Sequence, residues 1–195
     1  MGQKGGKAER DLCRTLTKWV TGKENPPIYW RNGGSGSVST VALKANKEAG
    51  IVGDIAPIDI RAVFLTGLFG IESKRGYGFK LDDLLIDFPL RKTSKGLPDT
   101  HILMWWQKHK LQCHVVNRSP LLIAKKDFYP TYIFYDEYCN SLMCQYFHPP
   151  RRAVRGIDLD GDAIWACLFS AWMDIVDPHT LREIYDAGEA SKWGR

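Results

Sequence analysis

Nowhere along the chain is there an uninterrupted apolar stretch long enough to cross a bilayer, which speaks against membrane insertion. The opening MGQKGGKAER has no apolar run behind its basic residues, so it does not read as a secretory signal, and the lysine-bearing stretch after Gly2 reads as a leader rather than a lipidation signal. Cysteine is sparse, and the five present (Cys13, Cys113, Cys139, Cys144 and Cys167) form an odd, scattered set. Such a set is not a disulfide framework; it fits free thiols in a reducing compartment, and the expected location is the cytoplasm. Internal repeats and low-complexity segments are lacking too, which removes solenoid and fibrous classes.

What is present is the composition of an ordinary folded protein: 195 residues, 44% hydrophobic, 25% charged and 12% aromatic, enough for one globular domain with a sizeable core. The 27 Lys and Arg against 22 Asp and Glu give +5, a balance that suits a polyanionic partner. The excess is concentrated early. Lys4, Lys7, Arg10, Arg14, Lys18, Lys23, Arg31, Lys44 and Lys47 face only Glu9, Asp11 and Glu24, while the end of the chain is acidic. A basic N-terminal segment of this kind is expected to face DNA.

Leu12, Cys13, Leu16, Trp19 and Val20 recur at three- and four-residue steps and predict an amphipathic helix over 8–20. Ile28–Arg31 reads as a short strand, followed by a glycine- and serine-rich loop at 33–37. Ile51–Ile60 and Ala62–Lys74 read as two strands pairing as a hairpin or bent ribbon. A polar stretch at 81–98 precedes a helix over 100–111, and Leu121–Ala124 and Thr131–Tyr135 read as later strands joined by the charged turn Lys125, Lys126 and Asp127. After the basic connector PPRRAVRG, the apolar run Ala163–Val176 is expected to be a helix, with Asp177 and Pro178 starting a last one. The apolar face of this hairpin, Ile164, Trp165, Leu168, Phe169 and Trp172, must pack on the core or on a second subunit.

The chemistry-bearing pattern is Glu72-Ser73-Lys74. The two-residue period of a strand places Glu72 and Lys74 on one face, about 7 Å apart along the backbone. Phosphodiester hydrolysis needs carboxylates to hold a divalent cation against the phosphate and a nearby cation to orient the attacking water. A lone E-x-K carries little weight, because surface strands often alternate these residues. Asp54, an acid among apolar neighbours that calls for a partner, and Glu9 on the preceding helix give it weight.

The segments KGGKAERDL, YWRNGGSGS, GDI and IESKRG, in that order and rough spacing over about the first 125 residues, resemble the PD-(D/E)XK nucleases. The similarity is to the archaeal-type Holliday junction resolvases and the phage-encoded nucleases of this fold. It implies an α/β, restriction-endonuclease-like mixed central sheet flanked by helices; the nuclease core is expected over 1–148, and the residues of 149–195, which have no counterpart in the resemblance, are read from their own pattern as a C-terminal helical extension. It further implies that Glu9, Asp54 and Glu72 ligate Mg²⁺ (or Mn²⁺) and that Lys74 is the catalytic lysine. Ser35 or Ser37 of the glycine-rich loop is implied beside the scissile phosphate, and Gln107 near the site. DNA contacts are expected from Lys4, Lys7, Arg10, Arg31, Ser35, Ser37 and Arg75. The implied function is a structure-specific endonuclease on branched DNA acting as a homodimer. The alternatives are cleavage of ordinary or damaged duplex and a nuclease fold that only binds DNA. One departure from the family pattern is Gly53, which stands where the motif has proline.

Other clusters carry blander expectations. Trp105 and Trp106, beside Ile102, Leu103 and Met104, are expected in the core rather than on bases. The spacing of Cys113, His114, Cys139, Cys144 and His148 is irregular for zinc. Asp158, Asp160 and Asp162 lack the glycine and closing glutamate of a calcium loop and are expected to form a turn and helix cap. Arg151, Arg152 and Arg155 either touch phosphate backbone or lie in a solvated connector.

Overall fold

In the computed structural model, residues 3–32, 52–75, 101–150 and 152–188 are described. Ser35, Ser37, Lys44, Lys47, the stretch 81–98 and Arg151 lie outside them, as does the side chain of Lys4.

The chain opens with helix α1 (Gln3–Thr21) and continues into strand β1 (Tyr29–Arg31), which pairs antiparallel with β2 (Ile55–Pro57) in a two-stranded ribbon. After β2 come a 3₁₀ turn (Ile60–Ala62), helix α2 (Val63–Leu68) and strand β3 (Phe69–Arg75). Helix α3 (His101–Val115) leads to β4 (Ser119–Lys125), β5 (Thr131–Asp136) and α4 (Glu137–Tyr146). The last elements are β6 (Val154–Ile157), β7 (Ala163–Leu168), α5 (Phe169–Ile175) and α6 (Pro178–Asp186). Five strands form one mixed sheet in the order β3-β4-β5-β7-β6, with β3 and β4 parallel and the other neighbours antiparallel.

Both faces of this sheet are covered, which explains the unbroken apolar character of its central strands. Along β4, Leu121 and Ile123 point into a core shared with α1, α2 and α4–α6, and Leu122 and Ala124 point the other way, under α3 with Ile102 and Trp106. Trp19 on α1 donates from its indole N–H to the carbonyl of Met173 on α5 at 3.0 Å, and its ring lies 5.6 Å from that of Trp172. Trp106 is fully buried, as its spacing predicted.

Two segments differ from expectation. Ala62–Leu68 is not strand. Asp59 accepts from the Arg61 N–H at 2.8 Å and starts the 3₁₀ turn, and Phe64, Leu65 and Leu68 then bury one helical face. Gly67 lies against the Tyr185 ring of α6, where a side chain would overlap it. The expected hairpin is therefore absent, and residues 52–54 meet β3 in parallel through the bridge Gly53–Ile71. Ala163–Leu168, expected as helix, is a strand. It lies between β5 and β6 with Ile164 and Cys167 buried on opposite faces, and a strand buried on both sides shows no alternation to distinguish it from a buried helix. The helical hairpin thus starts at Phe169, and two of the five sheet strands come from beyond residue 149. Asp177 does cap α6, accepting from the Thr180 N–H at 2.8 Å, with Pro178 in its first turn.

The parallel bridge imposes a steric requirement. Gly53 has φ +91°, and a Cβ there would overlap the backbone of Ile71. Gly53→Ala is expected to cost about 3 kcal/mol of unfolding free energy in a urea titration, the combined effect of a disfavoured φ and a displaced bridge.

Candidate active site

The site forms where this bridge ends. Asp54 donates its backbone N–H to the Ile71 carbonyl at 2.7 Å, and its carboxylate accepts from the Ser73 N–H at 2.9 Å. The segment is held from the other side by Asn32, whose backbone N–H donates to the Asp54 carbonyl at 2.6 Å and whose side-chain amide donates to that of Gly53 at 3.3 Å. Asp54 is therefore buried, only 3% exposed, and fixed to the strand that carries Glu72 and Lys74. The alternation along β3 turns Ser73 away and lets the Lys74 ammonium donate to the Glu72 carboxylate, the two side chains forming a partly buried ion pair.

Glu9 approaches from α1, with the Arg31 guanidinium of β1 at 3.9 Å from its carboxylate. Electrostatics tie these groups into one site. Burial, then the neighbouring charge of Glu72, raises the Asp54 carboxyl above the ordinary carboxylate range, against the Ser73 N–H and Lys74, which pull it down. Glu9 is raised for the same reasons, by burial and then by Asp54. Burial opposes the charge of Lys74, but Glu72, Asp54 and Glu9 together outweigh it and raise its pKa. The lysine is an ammonium at neutral pH, a source of charge and N–H donors and not a base.

Asn32 and His109 are the residues that the sequence reading missed. His109, on α3, is fully buried and donates its Nε2–H to the Gly70 carbonyl on β3 at 2.8 Å; burial pushes its pKa down to about 4, so the ring is neutral. Gly70 has no room for a side chain beneath Cys113 and Val52, which lets α3 sit close behind the site. The available signal for His109 was its place in the three- and four-residue spacing of Ile102, Trp106 and Cys113, which marks the buried face of the helix.

The remaining candidates are dispersed. Lys7 and Arg10 lie exposed on α1, and Arg75 at the end of β3 pairs with Asp127 at 3.2 Å. Gln107 is not brought to the carboxylates. Its amide donates to Asp160 at 2.5 Å, in the turn between β6 and β7. There the Lys110 ammonium donates to Asp158 at 2.6 Å, Asp160 at 3.1 Å and Asp162 at 2.6 Å, and the Asp158 carboxylate also accepts the Trp106 indole N–H at 3.1 Å. Among the described residues these three aspartates are the one set of three potential ligands whose oxygens lie within 4.8 Å of one another, and all three share the Lys110 ammonium. They form the expected turn, with Asp158 accepting from the N–H groups of Asp160 and Asp162, but cap no helix, because Asp162 leads into strand β7. The five cysteines are free thiols.

Glu9, Asp54 and Glu72 offer only carboxylate oxygens, the hard donors that suit Mg²⁺ or Mn²⁺, and the charge repulsion among them would be relieved by a divalent cation. The residues present therefore fit such an ion. Beside them a cleft of about 230 Å³ runs between α1 and the ends of β3–β5, walled by Asp11, Thr15, Lys74, Arg75, Lys125 and Thr131.

A mixed sheet flanked by helices, with an aspartate held against a strand that carries Glu-x-Lys, defines the PD-(D/E)XK class of the restriction-endonuclease-like fold. A family model described as "phage putative PDDEXK endonuclease" matches residues 2–181, and the chain belongs to that family of nucleases. No curated protein and no solved structure matches the chain.

The raised Asp54 carboxyl has a consequence for stability. Its folded pKa lies above its unfolded value, so its favourable contribution is complete below the unfolded value and is lost as pH rises through the folded one. Asp54→Asn keeps an oxygen to accept from Ser73 and removes the ionisation. It is expected to raise the melting temperature at neutral pH in calorimetry, with the gain fading as the pH falls to about 4.

Proposed function

We propose that this protein is a divalent-metal-dependent DNA endonuclease that cuts branched DNA, acting as a homodimer in the cytoplasm of a phage-infected cell. The observation that carries the reading is the hydrogen bond from Ser73 to Asp54, which converges Asp54, Glu72 and Lys74 on one end of β3. Asp54, Glu72 and Glu9 would hold Mg²⁺ or Mn²⁺, which supplies Lewis-acid charge to the scissile phosphate.

The chain's own groups do the rest. Lys74, kept protonated by its three carboxylates, would position the attacking water and balance the charge that builds on the phosphate oxygens as the new P–O bond forms and the old one breaks, with solvent taking the proton the water loses and supplying the one the leaving oxygen gains. Arg31 holds Glu9 in place from β1. Lys7 and Arg10 on α1 contact the backbone without reading sequence, as expected also of Lys4, Ser35 and Ser37. Branched DNA is favoured by the order of motifs shared with the junction resolvases. A four-way junction presents two symmetric scissile strands, which a two-fold dimer would meet with two sites.

With Mg²⁺ present, the purified protein is expected to nick a four-way junction at least tenfold faster than the matching linear duplex. Glu72→Gln is expected to lower the rate at least a thousandfold and leave junction binding in a gel-shift assay intact, and a chelator should stop cutting reversibly. Equal rates on junction and duplex would remove the branched substrate and leave the nuclease; no metal-dependent cutting of any DNA would remove both.

A further inference from the structure

The turn between β4 and β5, Lys126–Pro130, starts one residue past the strand end that pairs with the site. Lys74 is opposite Ala124 and Arg75 opposite Lys125, so the turn projects from the same end of the sheet as the catalytic lysine. Its tip is Phe128. This side chain is 104% exposed, the highest value among the large apolar residues described, and its backbone has φ +69°, a region that bulky residues enter at a cost. A scattered exposed apolar residue needs no explanation by itself. Here the surroundings supply one. Arg75 ties Asp127 of the turn to the end of β3 at 3.2 Å, Lys126 lies 4.7 Å over the ring of the half-exposed Tyr129, and Lys125 shares the wall of the cleft with Lys74 and Arg75. An aromatic ring is thus held out in solvent on a turn whose flanking residues, Lys125 and Thr131, line a cleft together with Lys74 and Arg75.

We propose that Phe128 is a stacking wedge for an unpaired or splayed base of the DNA substrate, with Arg75, Lys125 and Lys126 holding the phosphates beside it. Four residues of chain from Ala124 and one strand spacing to Lys74 reach at most about 19 Å, so Phe128 lies within a few base steps of a phosphate seated at Lys74. A paired, stacked duplex offers no free base face to the ring, whereas a junction, flap or fork does. The proposal rests on the nuclease reading and deepens it: preference for branched DNA would come from a base exposed at the branch, taken by a side chain on β4–β5, while cleavage is carried out by β3. Stacking of a base on an aromatic side chain is sequence-tolerant, in keeping with a site that reads DNA shape.

The test is binding by the full chain in chelator, where nothing is cut, measured by fluorescence anisotropy on a labelled fork and on the matching duplex, for wild type, Phe128→Ala and Phe128→Trp. Phe128→Ala is expected to weaken fork binding about tenfold, as loss of one stacked base does. Duplex binding and melting temperature should stay unchanged, since the ring packs on nothing, and Phe128→Trp should keep the preference for fork. A 2-aminopurine placed at the branch should change its emission on binding wild type and not Phe128→Ala. If Phe128→Ala binds fork as wild type does, or loses fork and duplex equally, the wedge is overturned and the nuclease reading stands. If wild type neither binds nor cuts any DNA, the nuclease reading fails and the wedge with it. Phe128-dependent binding to lipid vesicles without any to DNA would likewise overturn it.

Discussion

Asp54 is tied to β3 twice, through its own N–H to the Ile71 carbonyl and through its carboxylate to the Ser73 N–H. Both contacts depend on the backbone at Gly53 coming against that of Ile71 with no side chain between them. A proline, as in the family's usual motif, could not adopt the positive φ found here. The ribbon of β1 and β2, the Asn32 contacts and the closeness of α3 behind Gly70 all hold the same short segment from other directions. The result is an acid buried beside like charge, a state that costs stability and is kept only because the surrounding fold leaves it no alternative.

Two acidic groups in the molecule show how burial and neighbours decide what carboxylates do. Asp158, Asp160 and Asp162 are closer together than Asp54, Glu72 and Glu9, yet Lys110 donates to all three and two backbone N–H groups complete the turn. That group is satisfied within the chain. In the other, Lys74 engages Glu72 while Asp54 and Glu9 remain raised by burial and by their neighbours. What separates the two groups is burial: Asp54 is buried beside like charge, whereas Asp160 and Asp162 are open to water, and on that difference rather than on proximity the cation is proposed for Asp54, Glu72 and Glu9.

Elements with a clear period were legible in the sequence. The 3–4 spacing of Leu12, Leu16 and Val20 gave α1, and β1, α3, β4 and β5 fall where pattern and turn residues place them. Ala62–Leu68 and Ala163–Leu168 were misread in opposite directions. Both are short apolar runs, and in a layer buried on both sides hydrophobicity carries no period; what settles them is the Asp59 turn in one case and pairing with β5 in the other. For the site, Glu-x-Lys spacing and Asp54 were readable from sequence, whereas the partner of Gln107 was not, because Asp160 is brought to it by a β-turn 53 residues away. His109 and Asn32 act through backbone carbonyls, a kind of contact that no residue pattern announces.

The most direct test of the account is where a divalent cation binds. Mn²⁺ titrated into wild type, Asp54→Asn and Asp160→Asn, with free ion followed by electron paramagnetic resonance, separates the two acidic groups. Binding that is present in wild type and Asp160→Asn and lost in Asp54→Asn is the expected result; binding that survives Asp54→Asn and disappears in Asp160→Asn would contradict it.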